Sequence, residues 1–523
     1  MQGFSHESLA GAILASGRSA LSRSLRFHRP RARFCSTGEC GWCAMEVDGV
    51  PDVPACVVPC RAGLVARSQN AWPSAEWDAL ALLDVASPFL PYTFFHRRLL
   101  RPKFLRQSYL GLLRAFTGLG RLSEGAPAPR AKAKASARAH VAVVGGGAAG
   151  VSAALAAAER GARVVLVDDR DTLGGSWRGR GEVRDALREL LRRVGQLPTL
   201  EHWPRALCAG LYGGRALGVV TPESLVILQA DQVILAPGAL DALPLFVNSD
   251  LPGVVSARLV ERLLTQEGLV PGTQAVVWGV GASAERLADL MRQAGIQIVR
   301  RLGPDETVVM AEGPGQVRVA VVQEADGRRQ TVGCDLIVIA AVEPRLDLLA
   351  HAGGEVRRDE AVGGWTAVRD PWMCTTVPGL RLVGEAAGPA DWDRCLAEGR
   401  LAGLAAARSL GFDVGSEVES LAREVPPRPA ALSLRFPTTS VGGAGLVCFC
   451  EDVREREIRR EIARGYEAME LIKRRTGVLT GPCQGKFCLT NAMRVSGGTS
   501  GAPTARPPAK RIRLGDLVTE EHA

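Results

Sequence analysis

Histidine is scarce. Seven occur in 523 residues, without pattern, and none adjoins a glycine motif. The chain therefore shows no acid–base or nucleophilic constellation, and no side chain is assigned a catalytic role on a substrate. Long apolar runs are missing too: none reaches the roughly 18 residues of a membrane span. No secretory signal is recognisable. The opening residues mix Arg and Ser with apolar side chains as a transit peptide would, but Glu7 stands among them and Leu9–Leu14 fits a helix. The expected location is the cytoplasm, with peripheral attachment to the inner membrane face as its variant. Residues 1–140 hold nineteen Lys/Arg against nine Asp/Glu, whereas the remainder is near neutral. The basic residues are scattered among apolar ones and belong to no nucleic-acid fold, so nucleic acid is not expected as a partner.

Apolar content of 46% and charged content of 23% are those of an ordinary globular protein, with room for about three or four domains. The stretch His140–Asp169 carries the clearest pattern. A buried-strand run, Val141–Val144, leads into Gly145-Gly146-Gly147-Ala148-Ala149-Gly150, then an Ala-rich helix, then a second apolar run ending in Asp168. In this βαβ unit Gly145 permits the tight turn, Gly147 admits a pyrophosphate, and Gly150 lets helix pack on strand. The first-turn N–H groups, starting at Ala148, and the helix dipole hold phosphate. Asp168 can accept from a ribose hydroxyl. A second βαβ begins at Ala275-Val276-Val277-Trp278-Gly279-Val280-Gly281-Ala282-Ser283-Ala284. Its following strand ends in Arg300-Arg301 with no acid, so an NAD ribose lacks its usual acceptor while the arginines could meet a 2′-phosphate; NAD(P) at Gly279 and Gly281 is thus a possible cofactor, though solvated arginines are the plainer reading. No C-x2-C dithiol sits in that region, which argues against a thioredoxin-reductase-type relay.

The thirteen cysteines are clustered. Cys35, Cys40 and Cys43 have C-x4-C-x2-C spacing with Cys56 thirteen residues on, the plant-type arrangement for a [2Fe–2S] cluster. Cys60 is an alternative to Cys56 as fourth ligand, but a bystander reading is preferred. Late in the chain Cys448 and Cys450 pair as C-x-C, and Cys483 and Cys488 as C-x4-C. Structural zinc is the rival at both sets, since four thiolates satisfy it equally. Cys208, Cys334, Cys374 and Cys395 have no pair spacing and read as small buried hydrophobes.

His28-Arg29-Pro30-Arg31, the first cysteine loop, Val47-Asp48-Gly49-Val50, Asn70-Ala71-Trp72-Pro73-Ser74 and the segment Leu110–Gly120 together resemble the α-subunit family of heteromeric sarcosine oxidase, whose relatives include hydrogen cyanide synthase and opine oxidase subunits. The family's opening β-hairpin, ahead of the segment matching Leu9–Ser16, has no counterpart here. The resemblance implies that the turn at Leu173–Trp177, with Gly175, lies along a flavin. It also implies that Ala236-Pro237-Gly238-Ala239 is the second-strand turn of a two-dinucleotide-domain flavoprotein, and that Gly384-Glu385 stands for the Gly-Asp pair of the second flavin motif. The late cysteines, in Gly481-Pro482-Cys483-Gln484-Gly485, resemble the small bacterioferritin-associated-ferredoxin-like [2Fe–2S] domain.

The expected fold is α/β: a two-dinucleotide-binding-domain, Rossmann-like flavoprotein core flanked by a small α+β ferredoxin-like domain and a small helical [2Fe–2S] domain. The expected divisions are a ferredoxin-like domain over 1–122, a linker over 123–138, an FAD-binding domain over 139–250 and 351–410, an inserted NAD(P)-binding-like domain over 251–350, a linker over 411–445 and a C-terminal cluster domain with tail over 446–523. Between the late cysteine pairs, Val453–Met469 reads as one helix. By resemblance, the expected cofactors are FAD and two [2Fe–2S] clusters, and the expected partners are an FAD-dependent β-subunit that oxidises an amine or amino acid and a downstream electron acceptor. The competing readings are a self-contained NAD(P)H-dependent reductase and a non-catalytic assembly subunit.

Overall fold

The structure is a computed structural model. It describes residues 3–87, 131–213, 215–359, 364–425, 436–497 and 505–520, with 106–108, 110, 111, 120 and 362. Most of the Leu110–Gly120 motif, residues 123–130 of the first linker and 426–435 of the second lie outside the described residues. The chain divides into two compact units, each assembled from three stretches: 1–126 with 241–341 and 434–503, and 127–240 with 342–433 and 504–523.

The second unit is built on a seven-stranded sheet. Leu200–Trp203, Val164–Val167, Ala133–Val144 and Ser224–Leu235 run parallel in that order, Leu380–Leu382 adds in parallel to the last of them, and Ala216–Val220 and Leu207–Tyr212 continue antiparallel. Val141, Val143, Val164 and Leu166 are fully or almost fully buried, as strands covered on both faces must be. The strand starts at Ala133, inside the stretch read as linker. Its first half is largely exposed and alternates small alanines with polar residues, and it pairs residue by residue with Ser224–Gln229. Two helices, Ala148–Ala158 and Trp392–Ser409, pack on the sheet. Small side chains let them approach closely: a Cβ on Gly399 would lie 2.1 Å from the Ala149 carbonyl oxygen. The helix Glu417–Glu424 occupies part of the stretch read as second linker and buries Val418 in the same core. The C-terminal tail also packs here, Ala509 donating its N–H to the Ala209 carbonyl at 2.7 Å.

The first unit holds three small assemblies. Leu9–Ala15 forms the helix read from the sequence, capped by Ser8, whose side chain accepts from the Gly11 N–H. Ala44–Val47 pairs antiparallel with Val50–Pro54 and Ala66–Arg67. A parallel four-stranded sheet follows in the order Val254–Ser256, Leu336–Ile339, Gln274–Trp278, Gln297–Leu302, with the helix Ala282–Gln293 after the second glycine turn. The third assembly is helical: Glu455–Ile462, Met469–Thr476 and Leu489–Val495. The single helix expected over Val453–Met469 is thus two elements. Val453–Arg454 is a short strand, and Gly465, at φ 88°, ends the first helix as Tyr466 donates back to the Glu461 carbonyl.

Buried charge joins these three assemblies. The Arg31 guanidinium donates to Asp250, to Asp452 and to the Phe449 carbonyl. Arg29 meets Asp250 through two nitrogens at 2.7 and 3.0 Å. Asp452 accepts further from Ser24 Oγ at 2.6 Å and the Phe27 N–H at 2.9 Å. Burial would raise the Asp250 carboxyl, but Arg29 and Arg31 together hold it well below the usual carboxylate range.

Candidate flavin and cysteine sites

In the second unit the first glycine turn has the geometry a dinucleotide needs. Gly145 sits at φ 105°, where an added Cβ would lie 2.2 Å from the Ala236 carbonyl oxygen, so both its conformation and its space require glycine. A Cβ on Gly150 would lie 1.8 Å from the Gly145 carbonyl oxygen, so the helix turn and the strand turn touch backbone to backbone. Gly147 caps the helix Ala148–Ala158, and a Cβ there would meet nothing within 4 Å. That open cradle at a helix N-terminus suits a pyrophosphate. Gly175 borders it, its own Cβ direction ending 3.0 Å from Gly147 Cα.

Asp168 lies where expected, at the end of Val164–Val167, but its carboxylate is already engaged. Oδ2 accepts from the Gly146 N–H at 2.5 Å and Oδ1 from the Arg170 N–H at 2.9 Å. Burial raises its carboxyl above the usual range, partly offset by the Gly146 N–H. The side chain therefore shapes the glycine loop. Next to it, Asp169 takes Lys510 of the tail at 2.6 Å. That cation had no signal in the motif, because it arrives from 341 residues away.

The second flavin motif is held by a residue that motif reading passes over. Glu398 is fully buried in the helix Trp392–Ser409. It accepts from the Gly384 N–H at 2.8 Å, from Arg394 Nε at 2.9 Å and from Arg369 at 3.3 Å. Its only sequence signal is an acid four residues after an arginine in an otherwise Ala/Gly-rich helix. Glu385 follows Gly384, with Ser176 Oγ at 3.4 Å from its carboxylate. The turns bearing Gly175 and Gly384-Glu385 thus meet. Gly238 ends the central strand Ser224–Leu235 at φ 76° with open space on its Cβ side.

In the first unit Gly279 and Gly281 form the second glycine turn. Gly281 caps Ala282–Gln293, and a Cβ on Gly279 would lie 2.5 Å from Ala340 Cβ. The two arginines at the following strand end are paired with protein groups: Arg300 with Glu306, Glu324 and Gln330, Arg301 with Glu285 at 3.7 Å.

Each cysteine set comes together. The Cys35 thiol stands next to those of Cys40 and Cys56, and Cys43 next to Cys56. Cys40 and Cys56 hold Cys35 well below the usual thiol range. The late set is linked in the same way, Cys483 to Cys450 and Cys488, and Cys488 to Cys448, and Cys483 is the thiol held low. All eight are buried. Cys60 is partly exposed and donates its N–H to the Glu7 carbonyl. Among the described residues no group of three or more His, Cys, Asp or Glu is placed to hold a single metal ion. Gly38 and Gly41 turn the first loop at φ 77° and 78°. Four buried thiols in each set are a donor type that fits an iron–sulfur cluster. Elsewhere, Cys208, Cys334 and Cys395 are buried as expected, whereas Cys374 is partly exposed. No helix among the described residues is long and apolar enough to cross a membrane.

Comparison with known proteins agrees with this layout. Residues 1–71 match the 2Fe-2S iron-sulfur cluster binding domain family, 140–188 the FAD dependent oxidoreductase family and 446–495 the BFD-like [2Fe-2S] binding domain family. The chain is 29% identical over 570 residues to the alpha subunit of sarcosine oxidase from Rhizobium meliloti (strain 1021), covering 99% of this chain and 56% of that protein, so it spans little more than half of that relative's length. It is 26% identical over 458 residues to an opine oxidase subunit from the same organism, covering 72% of this chain and 97% of that one. In fold it is similar to L-proline dehydrogenase from P. horikoshii, with a TM-score of 0.74 at 22% identity over 98% of this chain and 95% of that chain. The resemblance read from the motifs is borne out. The chain thus has a mixed α/β fold, a match to the FAD dependent oxidoreductase family after its first glycine motif, and a [2Fe–2S] domain toward each end.

Proposed function

Taking the chain as a flavin and iron–sulfur relative of the sarcosine and opine oxidase subunits, we propose that it is the electron-relaying α-subunit of a heteromeric amine or amino-acid dehydrogenase. The carrying observation is the coexistence, in one chain, of the glycine cradle at Gly147 and two buried four-thiol sets. FAD supplies two-electron exchange and [2Fe–2S] clusters supply one-electron carriage, so together they suit conversion between the two.

In this reading Gly145, Gly147, Ala148 and Gly150 bind the pyrophosphate, Asp168 stands at the ribose, and Gly175, Gly238, Gly384 and Glu385 line the rest of the flavin. Cys35, Cys40, Cys43 and Cys56 hold the first cluster, and Cys448, Cys450, Cys483 and Cys488 the second. Asp168 and Glu398 orient backbone N–H groups at the two flavin turns. No histidine or paired carboxylate is assigned to substrate, which suits a chain whose substrate is oxidised on a partner at that partner's own flavin. The names of the relatives as subunits of oxidases support that partner. The pairing of Arg300 and Arg301 with protein carboxylates favours the relay over a self-contained NAD(P)H reductase, because the strand end presents neither a ribose acid nor two uncommitted arginines.

Co-expression with a candidate FAD-dependent subunit that oxidises an amine or amino acid tests the assignment. A stable complex containing FAD on both chains and two clusters on this one is expected. Failure to associate, or a chain that binds no flavin, would reject it.

A further inference from the structure

The two cysteine loops meet within the first unit. Cys450 Sγ lies 3.9 Å from the Cys40 carbonyl oxygen. Four buried aromatic rings belong to the same two loops, and each is the sequence neighbour of an expected ligand: Phe34 of Cys35, Trp42 of Cys43, Phe449 of Cys448 and Cys450, Phe487 of Cys488. They form one chain across the two loops. Phe487 stands edge-on to Phe34 with centroids 6.0 Å apart, Phe34 lies 5.2 Å from Trp42, and Trp42 lies 5.2 Å from Phe449.

The arrangement is also locked. Arg31 holds the Phe449 carbonyl at 3.0 Å and Asp452 just past Cys450, while its guanidinium lies 5.4 Å from the Trp42 centroid. Ser22 Oγ donates to the Trp42 carbonyl at 2.6 Å. A Cβ on Gly481 would lie 2.2 Å from Cys450 Cβ, so the loop bearing Cys483 is pressed onto the same point. Buried aromatic contacts and a buried, fully partnered guanidinium exclude water and hold one geometry. Two independent electron carriers would not need their ligand loops interlocked in this way.

We propose that the two [2Fe–2S] clusters form a directly coupled pair, joined where Cys450 meets Cys40 and insulated by the Phe34–Trp42–Phe449–Phe487 ring cluster. The inference rests on the ligand assignment made above. Its content is that one electron on each cluster gives two spins that sense each other, and that an electron passes between them without leaving the protein interior. Reduction adds one electron to each cluster from an external reductant, with no bond made or broken.

The test uses the full chain, reconstituted anaerobically with iron and sulfide, with iron quantified and spectra recorded by electron paramagnetic resonance. Dithionite followed by photoreduction takes it from one to two spins per chain. At one spin a sharp signal is expected; at two, both signals split or broaden and become harder to saturate with microwave power. Cys483→Ser, lacking the second cluster, should keep the sharp signal at full reduction; should that variant not fold, the one-spin wild-type state is the same reference. Two superimposed, unbroadened signals at two spins and full iron content overturn the pair and leave the ligand assignment standing. Iron for a single cluster only overturns the assignment and the pair with it.

Discussion

Replacing Glu398 with alanine removes the one carboxylate that serves Gly384, Arg394 and Arg369 together. The side chain is fully buried, and the two arginines are themselves only 10–12% exposed. Deleting one member of a buried ion pair strands the other charge and costs about 3–5 kcal/mol. The partial exposure of the arginines lets water recover some of that, so about 3 kcal/mol is expected. For a folding unit of some two hundred residues this lowers the melting temperature by about 6–12 °C. The loss falls where Gly384 begins the second flavin motif, so flavin should dissociate before global unfolding. The assay is FAD fluorescence during a slow temperature ramp, with far-ultraviolet circular dichroism recorded in parallel. Glu398→Gln keeps one acceptor oxygen but turns the other into an amide donor, and should fall between the parent and the alanine variant. A Glu398→Ala protein that releases flavin within 2 °C (about 1 kcal/mol) of the parent would refute the claim that this carboxylate organises the motif.

Other perturbations test other parts of the account. Asp250 has a depressed carboxyl, so its ion pairs stabilise the first unit fully above the unfolded value near pH 3.9, and that contribution is lost as pH falls through the lower folded value. Acid unfolding of Asp250→Asn should accordingly begin at higher pH than in the parent, and superimposable curves would contradict this. Cys450→Ser should leave one cluster spectrum and about half the iron; a spectrum retaining both clusters would remove Cys450 from the ligand set. Gly150→Val places side-chain atoms where the Gly145 carbonyl sits, 1.8 Å from the Cβ alone. The purified chain should carry no flavin, and normal flavin content would show that the turn tolerates a branched side chain. Asp168→Asn should weaken FAD binding by about tenfold, the worth of one charged hydrogen bond at about 1.5 kcal/mol, measurable by equilibrium dialysis.

What can be read from the sequence is whatever the chemistry makes local. Thiolate spacing in a cluster loop is fixed by the loop itself, so Cys35 to Cys43 and Cys483 to Cys488 are legible without knowledge of the fold. The strand–glycine–helix turn at Val141–Ala158 is legible for the same reason in part: the Gly150 clash is with the Gly145 carbonyl of the same unit, whereas the Gly145 clash, with Ala236, comes from a distant strand. Interactions between distant segments leave no trace. Arg31 reaches Asp250 and Asp452 across 219 and 421 residues, and its place in a basic N-terminal stretch gives no hint of burial. Glu398 carries only the faint signal of its spacing from Arg394, because a buried carboxylate looks like any other acid until its partners are known. The strand beginning at Ala133 is hidden in the Ala/Lys-rich stretch read as linker, where backbone pairing rather than side-chain pattern decides the structure.

The relay itself is tested most directly by asking which reductant bleaches the flavin. The chain is titrated anaerobically, alone and in complex with its flavoprotein partner, while flavin absorbance is followed. The account predicts no bleaching of the isolated chain by NADH or NADPH, and bleaching with cluster reduction when an amine or amino-acid substrate is added to the complex. Rapid bleaching of the isolated chain by either nicotinamide would contradict it.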